Sequence, residues 1–191
     1  MNGFVPSRKP NRLQGYDYTR QGAYFVTVCA QNRAELFGRI DCVNECTKSP
    51  ATELSKIGCV VKRAIEMLSE IYPSVHVDQF VIMPNHIHMI IVIDDEQKPC
   101  RGELRSPAQD SPNVSSNNGR TQFAPTLSRI IKQWKGVITK QLGFSPWQKS
   151  FHDHVIRNQD DYLRVAQYIE DNPARWQMDS LYPLHRSMNK P

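Results

Sequence analysis

The 191 residues carry 39% hydrophobic and 23% charged side chains and a formal net charge of +5, enough for one domain with its own core and no need of disulfide or metal staples. No apolar run approaches the roughly 18 residues of a membrane-spanning helix, and the first twenty residues hold Arg8, Lys9, Arg12 and Arg20 with no apolar stretch, which argues against a secretory leader. Cys29, Cys42, Cys46, Cys59 and Cys100 are scattered without a CxxC pair and read as reduced thiols of a cytoplasmic protein.

In chain order, Gly22 to Ala30 reads as a strand, aromatic and β-branched through Tyr24-Phe25-Val26-Thr27-Val28. A short strand is expected over Glu35 to Ile40. Residues 53–72 place Leu54, Ile57, Val61, Ala64, Ile65, Leu68 and Ile71 at three- and four-residue spacing. That is one helical stripe, with Thr52 as its cap and Pro73 as its stop. Val75 to Met83 and His86 to Ile93 follow as strands, joined by a turn at Pro84-Asn85. Asp94 to Ala124 is rich in Pro, Ser and Asn and poor in large apolar residues, so 94–124 reads as a flexible insertion within the domain. Thr126 to Gln141 reads as a helix whose apolar face is Leu127, Ile130, Ile131, Trp134, Val137 and Ile138. Trp147 to Ile156 is expected to hold a further strand and Asp160 to Asp171 a last helix, ended by Asn172-Pro173. This order predicts an α+β fold, a single domain over 1–191 with a central antiparallel β-sheet flanked by α-helices.

The charge is segregated. Residues 1–20 form a basic arm of net +3, residues 121–150 carry net +5 with no acid, and residues 41–110 carry net −4. Arg8, Lys9, Arg12 and Arg20 on the arm, with Arg129, Lys132, Lys135 and Lys140 on the helix after the insertion, fit a polyanion such as the DNA backbone. A solvated helix face accounts for the second group equally well. Arg157, beside Asn158, fits either a phosphate contact or an ordinary ion pair.

The segment Phe80-Val81-Ile82-Met83-Pro84-Asn85-His86-Ile87-His88-Met89-Ile90-Ile91 carries the chemistry. On a strand His86 and His88 point to one face, about 6–7 Å apart. That pair fits a shared cation, and it also fits two half-buried histidines or one in the core and one on the surface; the apolar strand around it favours a partner for the imidazoles. Tyr168 and Asn172 stack at i and i+4 on the last helix, at the edge of the stripe formed by Tyr162, Val165, Ala166 and Ile169. Tyr168 reads as a nucleophile at a cleft or as a boundary tyrosine, and Asn172 as a ligand or a helix cap. Tyr162, about 120° round the helix, reads as core packing. His152 and His154 form a second i, i+2 pair without further ligands at a clear spacing.

Several separated motifs resemble one family. They are Arg12-Leu13-Gln14-Gly15-Tyr16-Asp17-Tyr18, Gly22-Ala23-Tyr24-Phe25-Val26-Thr27 and Val81-Ile82-Met83-Pro84-Asn85-His86-Ile87-His88. Trp147-Gln148, Phe151, His154-Val155-Ile156-Arg157-Asn158 and Tyr168-Ile169-Glu170-Asp171-Asn172-Pro173 complete the set. In this order they are similar to the REP-associated tyrosine transposases, of the single-tyrosine HUH endonuclease class in the insertion-sequence-200-type superfamily. The resemblance implies a ferredoxin-type, RRM-like sandwich. It implies His86 and His88 as metal ligands, Asn172 as the third ligand, Tyr168 as nucleophile and His154 near the site in support of the ligands. It also implies single-stranded or hairpin DNA as the partner, cleaved through a covalent 5′-phosphotyrosine and rejoined to another strand by a bacterial, nucleoid-associated enzyme acting as monomer or homodimer. Two imidazoles and an amide with open positions suit Mg²⁺ or Mn²⁺ rather than a closed structural zinc. The competing expectations are a non-catalytic nucleic-acid-binding protein on the same fold and a His-ligated hydrolase of small phosphoesters.

Overall fold

The computed structural model describes residues 21–40, 52–94 and 126–183. The basic arm 1–20, nearly all of the 94–124 insertion, and Cys42, Cys46 and Cys100 lie outside the described residues. Among the described residues, six strands and four helices follow one another as β1 (Gly22–Cys29), β2 (Gly38–Arg39), β3 (Glu53–Leu54), α1 (Lys56–Glu66), α2 (Leu68–Ile71), β4 (Val75–Ile82), β5 (His86–Ile93), α3 (Leu127–Leu142), β6 (His152–Ile156) and α4 (Gln159–Asp171). Short 3₁₀ turns cover Gln31–Arg33 and Trp176–Met178. Among the described residues no helix is long and apolar enough to cross a membrane.

The main sheet has the order β4-β5-β1-β6, and each neighbouring pair is antiparallel. With α1 between β1 and β4 and α3 between β5 and β6, this is the βαββαβ arrangement of ferredoxin-like folds. The two central strands are the two most apolar. β5 is buried along almost its whole length, because it is covered on both faces. On one face Tyr24, Val26, Ile87, Met89 and Ile91 meet Val61, Ile65 and Leu68 of α1–α2 and Leu127, Ile130, Ile131, Trp134 and Ile138 of α3. On the other, Phe25, Val81 and Ile90 meet Val165 and Ile169 of α4. Alternation along β5 thus sends odd-numbered residues to the α1–α3 face and even-numbered ones, His86 and His88 included, to the α4 face.

The sequence expectations shift at several ends. The strand expected over Glu35 to Ile40 is only Gly38–Arg39, and it pairs with β3 outside the main sheet. That pairing takes residues 53–54 away from the helix, so the cap is Ser55 rather than Thr52. Its Oγ accepts from Gly58 N at 3.0 Å and donates to Leu36 O at 2.6 Å. Gly58 is needed there, because a Cβ would lie 2.0 Å from the Phe37 carbonyl oxygen. The single helix expected through residue 72 breaks at Met67 (φ −85°, ψ 0°). The strand expected from Trp147 starts at His152, and Trp147 makes only an isolated bridge to Ala30. Thr126 and Asn158 cap α3 and α4, accepting from Arg129 N and Asp161 N.

Candidate active site

The turn before β5 prepares its first histidine. Asn85 is fully buried, and its Nδ2 donates to Leu181 O at 2.8 Å and Arg33 O at 3.3 Å. Those two carbonyl acceptors fix the amide orientation, so its Oδ1 can only accept. The 2.8 Å contact of that oxygen with His86 Nδ1 therefore places the imidazole proton on Nδ1 and leaves the Nε2 lone pair free. His88 is held likewise, its Nδ1 at 2.8 Å from Thr27 Oγ1 on β1 and its ring stacked on Phe25 at 5.2 Å. Both imidazoles are buried, with ring centroids 4.5 Å apart. Burial, then the nearby Arg33 charge, pushes His86 down to about 3. Burial, then His86, holds His88 well below the ordinary histidine value, against the opposing pull of Asp179. Both rings are therefore neutral at pH 7, the form that offers a lone pair.

α4 and the turn after it close the other side. Tyr168, 42% exposed, places its hydroxyl 3.4 Å from His88 Nε2 and 3.5 Å from Asp179 Oδ2. Its ring meets Phe25 edge-on at 6.0 Å. Burial and the Asp179 charge raise its pKa, and the hydrogen bond with Asn172 offsets part of that rise. Asn172 is buried and donates through Nδ2 to Asp179 Oδ2 at 3.4 Å. Asp179 is itself oriented by Leu181 N, which donates to its Oδ1 at 2.6 Å. Trp176 covers His86 at 5.8 Å.

Ligand atoms of His86, His88 and Asp179 lie within 4.8 Å of one another, a set that can hold a metal ion. The fit is supported by two orphaned atoms. His86 Nε2 and Asn172 Oδ1 are buried and have no hydrogen-bond partner among the described residues, a costly state unless a cation takes their lone pairs. The acid of this set, Asp179, has no counterpart in the sequence expectations. It lies beyond α4 in an irregular turn, where neither helical nor strand periodicity marks it.

The other expected residues distribute as follows. Tyr162 donates to Asp78 and is committed there. His154 sits one row away from His88 on β6, opposite Phe25, and its Nε2 is 2.8 Å from Asp161 Oδ2. Its partner is thus the first turn of α4 rather than the His86–His88 pair. Arg157 is exposed beside the same acid, its backbone N–H donating to Asp161 Oδ2. Arg129, Lys132 and Lys140 are exposed on α3, across the sheet from the histidines. Lys135 is spent on structure. Its Nζ donates to Gln148 O at 3.0 Å and Ser150 O at 2.9 Å, and burial brings it down to about 8. Cys29 and Cys59 are free thiols.

No protein-family model matches the chain. A Haemophilus influenzae protein described as an "Uncharacterized protein" is 33% identical over 186 residues, covering 95% of this chain and 96% of the relative. A second Haemophilus influenzae protein, "Putative REP-associated tyrosine transposase", is 24% identical over 159 residues, 83% of this chain and 74% of that one. The solved structure of a REP-associated tyrosine transposase bound to a REP hairpin superposes with a TM-score of 0.55 at 20% identity, covering 94% of this chain and 87% of that one. The chain belongs to one family with the first Haemophilus protein, resembles the second in sequence, and shares the fold of the hairpin-bound REP-associated tyrosine transposase.

Proposed function

We propose that the chain is a DNA strand-cleaving and strand-transferring enzyme of the tyrosine HUH type, acting on single-stranded or hairpin DNA. The observation that carries this reading is the Tyr168 hydroxyl, half-exposed and 3.4 Å from His88 Nε2, at the mouth of a buried His86–His88–Asp179 cluster. A phenol at such a place has little use in packing and is suited to attack. Tyr168 Oη forms a bond to phosphorus and the bond to the 3′ oxygen breaks, leaving a 5′-phosphotyrosine and a free 3′-hydroxyl. Asp179 Oδ2 is the acceptor that faces the phenol proton, at 3.5 Å. The phosphoester bond is kept in the adduct, so another strand's 3′-hydroxyl can reverse the step without ATP. His86, His88, Asp179 and the Asn172 amide oxygen would hold Mg²⁺ or Mn²⁺, which supplies Lewis-acid stabilisation of charge on the phosphate oxygens. Within a single chain the Tyr168 hydroxyl already lies 3.4 Å from His88 Nε2, which supports cleavage in cis by a monomer. The protein would meet its DNA at the bacterial nucleoid.

The test is a denaturing gel of the protein with single-stranded hairpin DNA and Mn²⁺. Wild type forms a protein–DNA adduct and the Tyr168→Phe variant forms none while still binding the DNA. An adduct formed by that variant overturns the nucleophile. Binding without any adduct by wild type, across a panel of hairpins, favours a non-catalytic binding protein. His86→Ala abolishes the Mn²⁺ dependence; unchanged Mn²⁺-dependent cleavage refutes the ligand role.

A further inference from the structure

Beyond the end of β5 that carries His86, the chain builds a second concavity, of about 530 Å³, between the 3₁₀ turn after β1 and the segment before β6. Its lining is Gln31, Asn32, Arg33, Trp147, Gln148 and Lys149. The two walls are tied to each other and to the His86 strand. Gln31 N donates to Pro146 O at 2.7 Å, Gln148 N to Cys29 O at 2.9 Å, and Ala30 N to Asn85 O at 2.8 Å. Cys29 is the register partner of His86 on β1. The cleft is therefore preformed, and it starts where the histidine strand begins. Its volume lies in the roughly 300–1,000 Å³ range of small-ligand clefts.

The chemistry of the lining is selective. It carries two cations, Arg33 and Lys149, three carboxamides and no acid. Among the described residues neither Arg33 nor Lys149 is in an ion pair. Carboxamides present the donor–acceptor pairs that read base edges, and cations take phosphate oxygens. The backbone is also held unusually: Asn32 and Arg33 have φ of 56° and 53°. Asparagine tolerates that region, but arginine gains nothing there from its own backbone. The Asn85 amide holds this turn through the Arg33 carbonyl, the same amide that orients His86.

We propose that this cleft binds one unpaired nucleotide flanking the scissile phosphate, with Arg33 and Lys149 on its phosphate and Gln31 and Gln148 at its base edge. The inference rests on the DNA-cleaving reading above and adds to it a site of sequence choice. α3 cannot supply that choice from across the sheet, since its exposed cations would track backbone only.

The test uses the double variant Arg33→Gly/Lys149→Gln. Glycine suits the left-handed φ, so loss of the guanidinium is separated from loss of the turn. Fluorescence anisotropy at fixed salt is read with hairpin DNA carrying unpaired flanks, intact or with one abasic site moved along them. Wild type loses about tenfold in affinity at one flank position. The variant loses about tenfold on intact DNA and nothing further when that position is abasic. An unchanged abasic profile in the variant, or an equal weakening at every position, overturns the cleft. A melting temperature matching wild type excludes misfolding, and Gln148→Ala alone, which leaves both cations in place, must blunt the same abasic penalty. Wild type that binds with this profile but forms no tyrosyl adduct refutes the cleavage reading and leaves the nucleotide site standing. Adduct formation with a flat profile does the reverse.

Discussion

The two faces of the central sheet share the same strands and do opposite things. On the α1–α3 face Met89, Ile91, Tyr24 and Val26 are fully buried among aliphatic and aromatic side chains. On the α4 face the alternate residues of those strands are His86, His88 and Thr27, buried but polar, with a smaller apolar cluster beside them. A period of two is enough to separate them. One face supplies the bulk of burial energy, and that leaves the other free to hold desolvated imidazoles with unshared lone pairs, an arrangement that lowers stability and serves chemistry.

Substitutions that act on one face alone break or sharpen this contrast. The largest effect is expected from Tyr168→Phe, which removes adduct formation by on the order of 10³-fold or more. Its unfolding free energy should stay within about 0.5 kcal/mol of wild type in urea titration, because the hydroxyl makes only long contacts. Met89→Ala on the opposite face should do the converse, costing about 2–5 kcal/mol of stability, with cleavage per folded molecule retained. Equal loss of both properties in either variant would dissolve the division of labour. Asn85→Ala spans the two roles. It leaves the Leu181 and Arg33 carbonyls and His86 Nδ1 without their partner. It should cost about 2–3 kcal/mol and weaken Mn²⁺ affinity about 10–100-fold by calorimetry.

The smallest effect concerns Asp161, where Arg164 first and His154 second hold the carboxyl down at about 2. A carboxyl lower in the folded than in the unfolded chain stabilises above the ordinary value near 4 and loses that contribution as pH falls toward 2. The melting-temperature gap between wild type and Asp161→Asn should therefore close between pH 5 and pH 2, and a constant gap would show that the ion pairs contribute nothing.

The strands and helices that position the site were legible because their periodicity is strong. The apolar run after His86 and the stripes of α3 and α4 stand in the residue pattern, whereas the caps Thr126 and Asn158 emerge only from the structure. What was not legible depends on contacts between distant segments. Ser55 displaced Thr52 as a cap because residues 53–54 were taken by a pairing with Gly38–Arg39. Asp179 joined the histidines because Asn85 and Leu181, 96 residues apart, hold the last turn against β5. Lys135 carries the same charge as Lys132, yet only the folded chain shows that its ammonium is occupied by two carbonyls.

The position of Asp179 along the chain has a biosynthetic consequence. The ribosome makes β1 through β5 first, and at roughly 5–20 residues per second several seconds separate His88 from Tyr168 and Asp179. During that interval the nascent sheet has its imidazoles but neither the phenol nor the acid that faces it. Completion of the cluster is thus a late event of synthesis, reached when α4 and the turn behind it dock, and a nascent chain stalled after α3 holds the histidines alone.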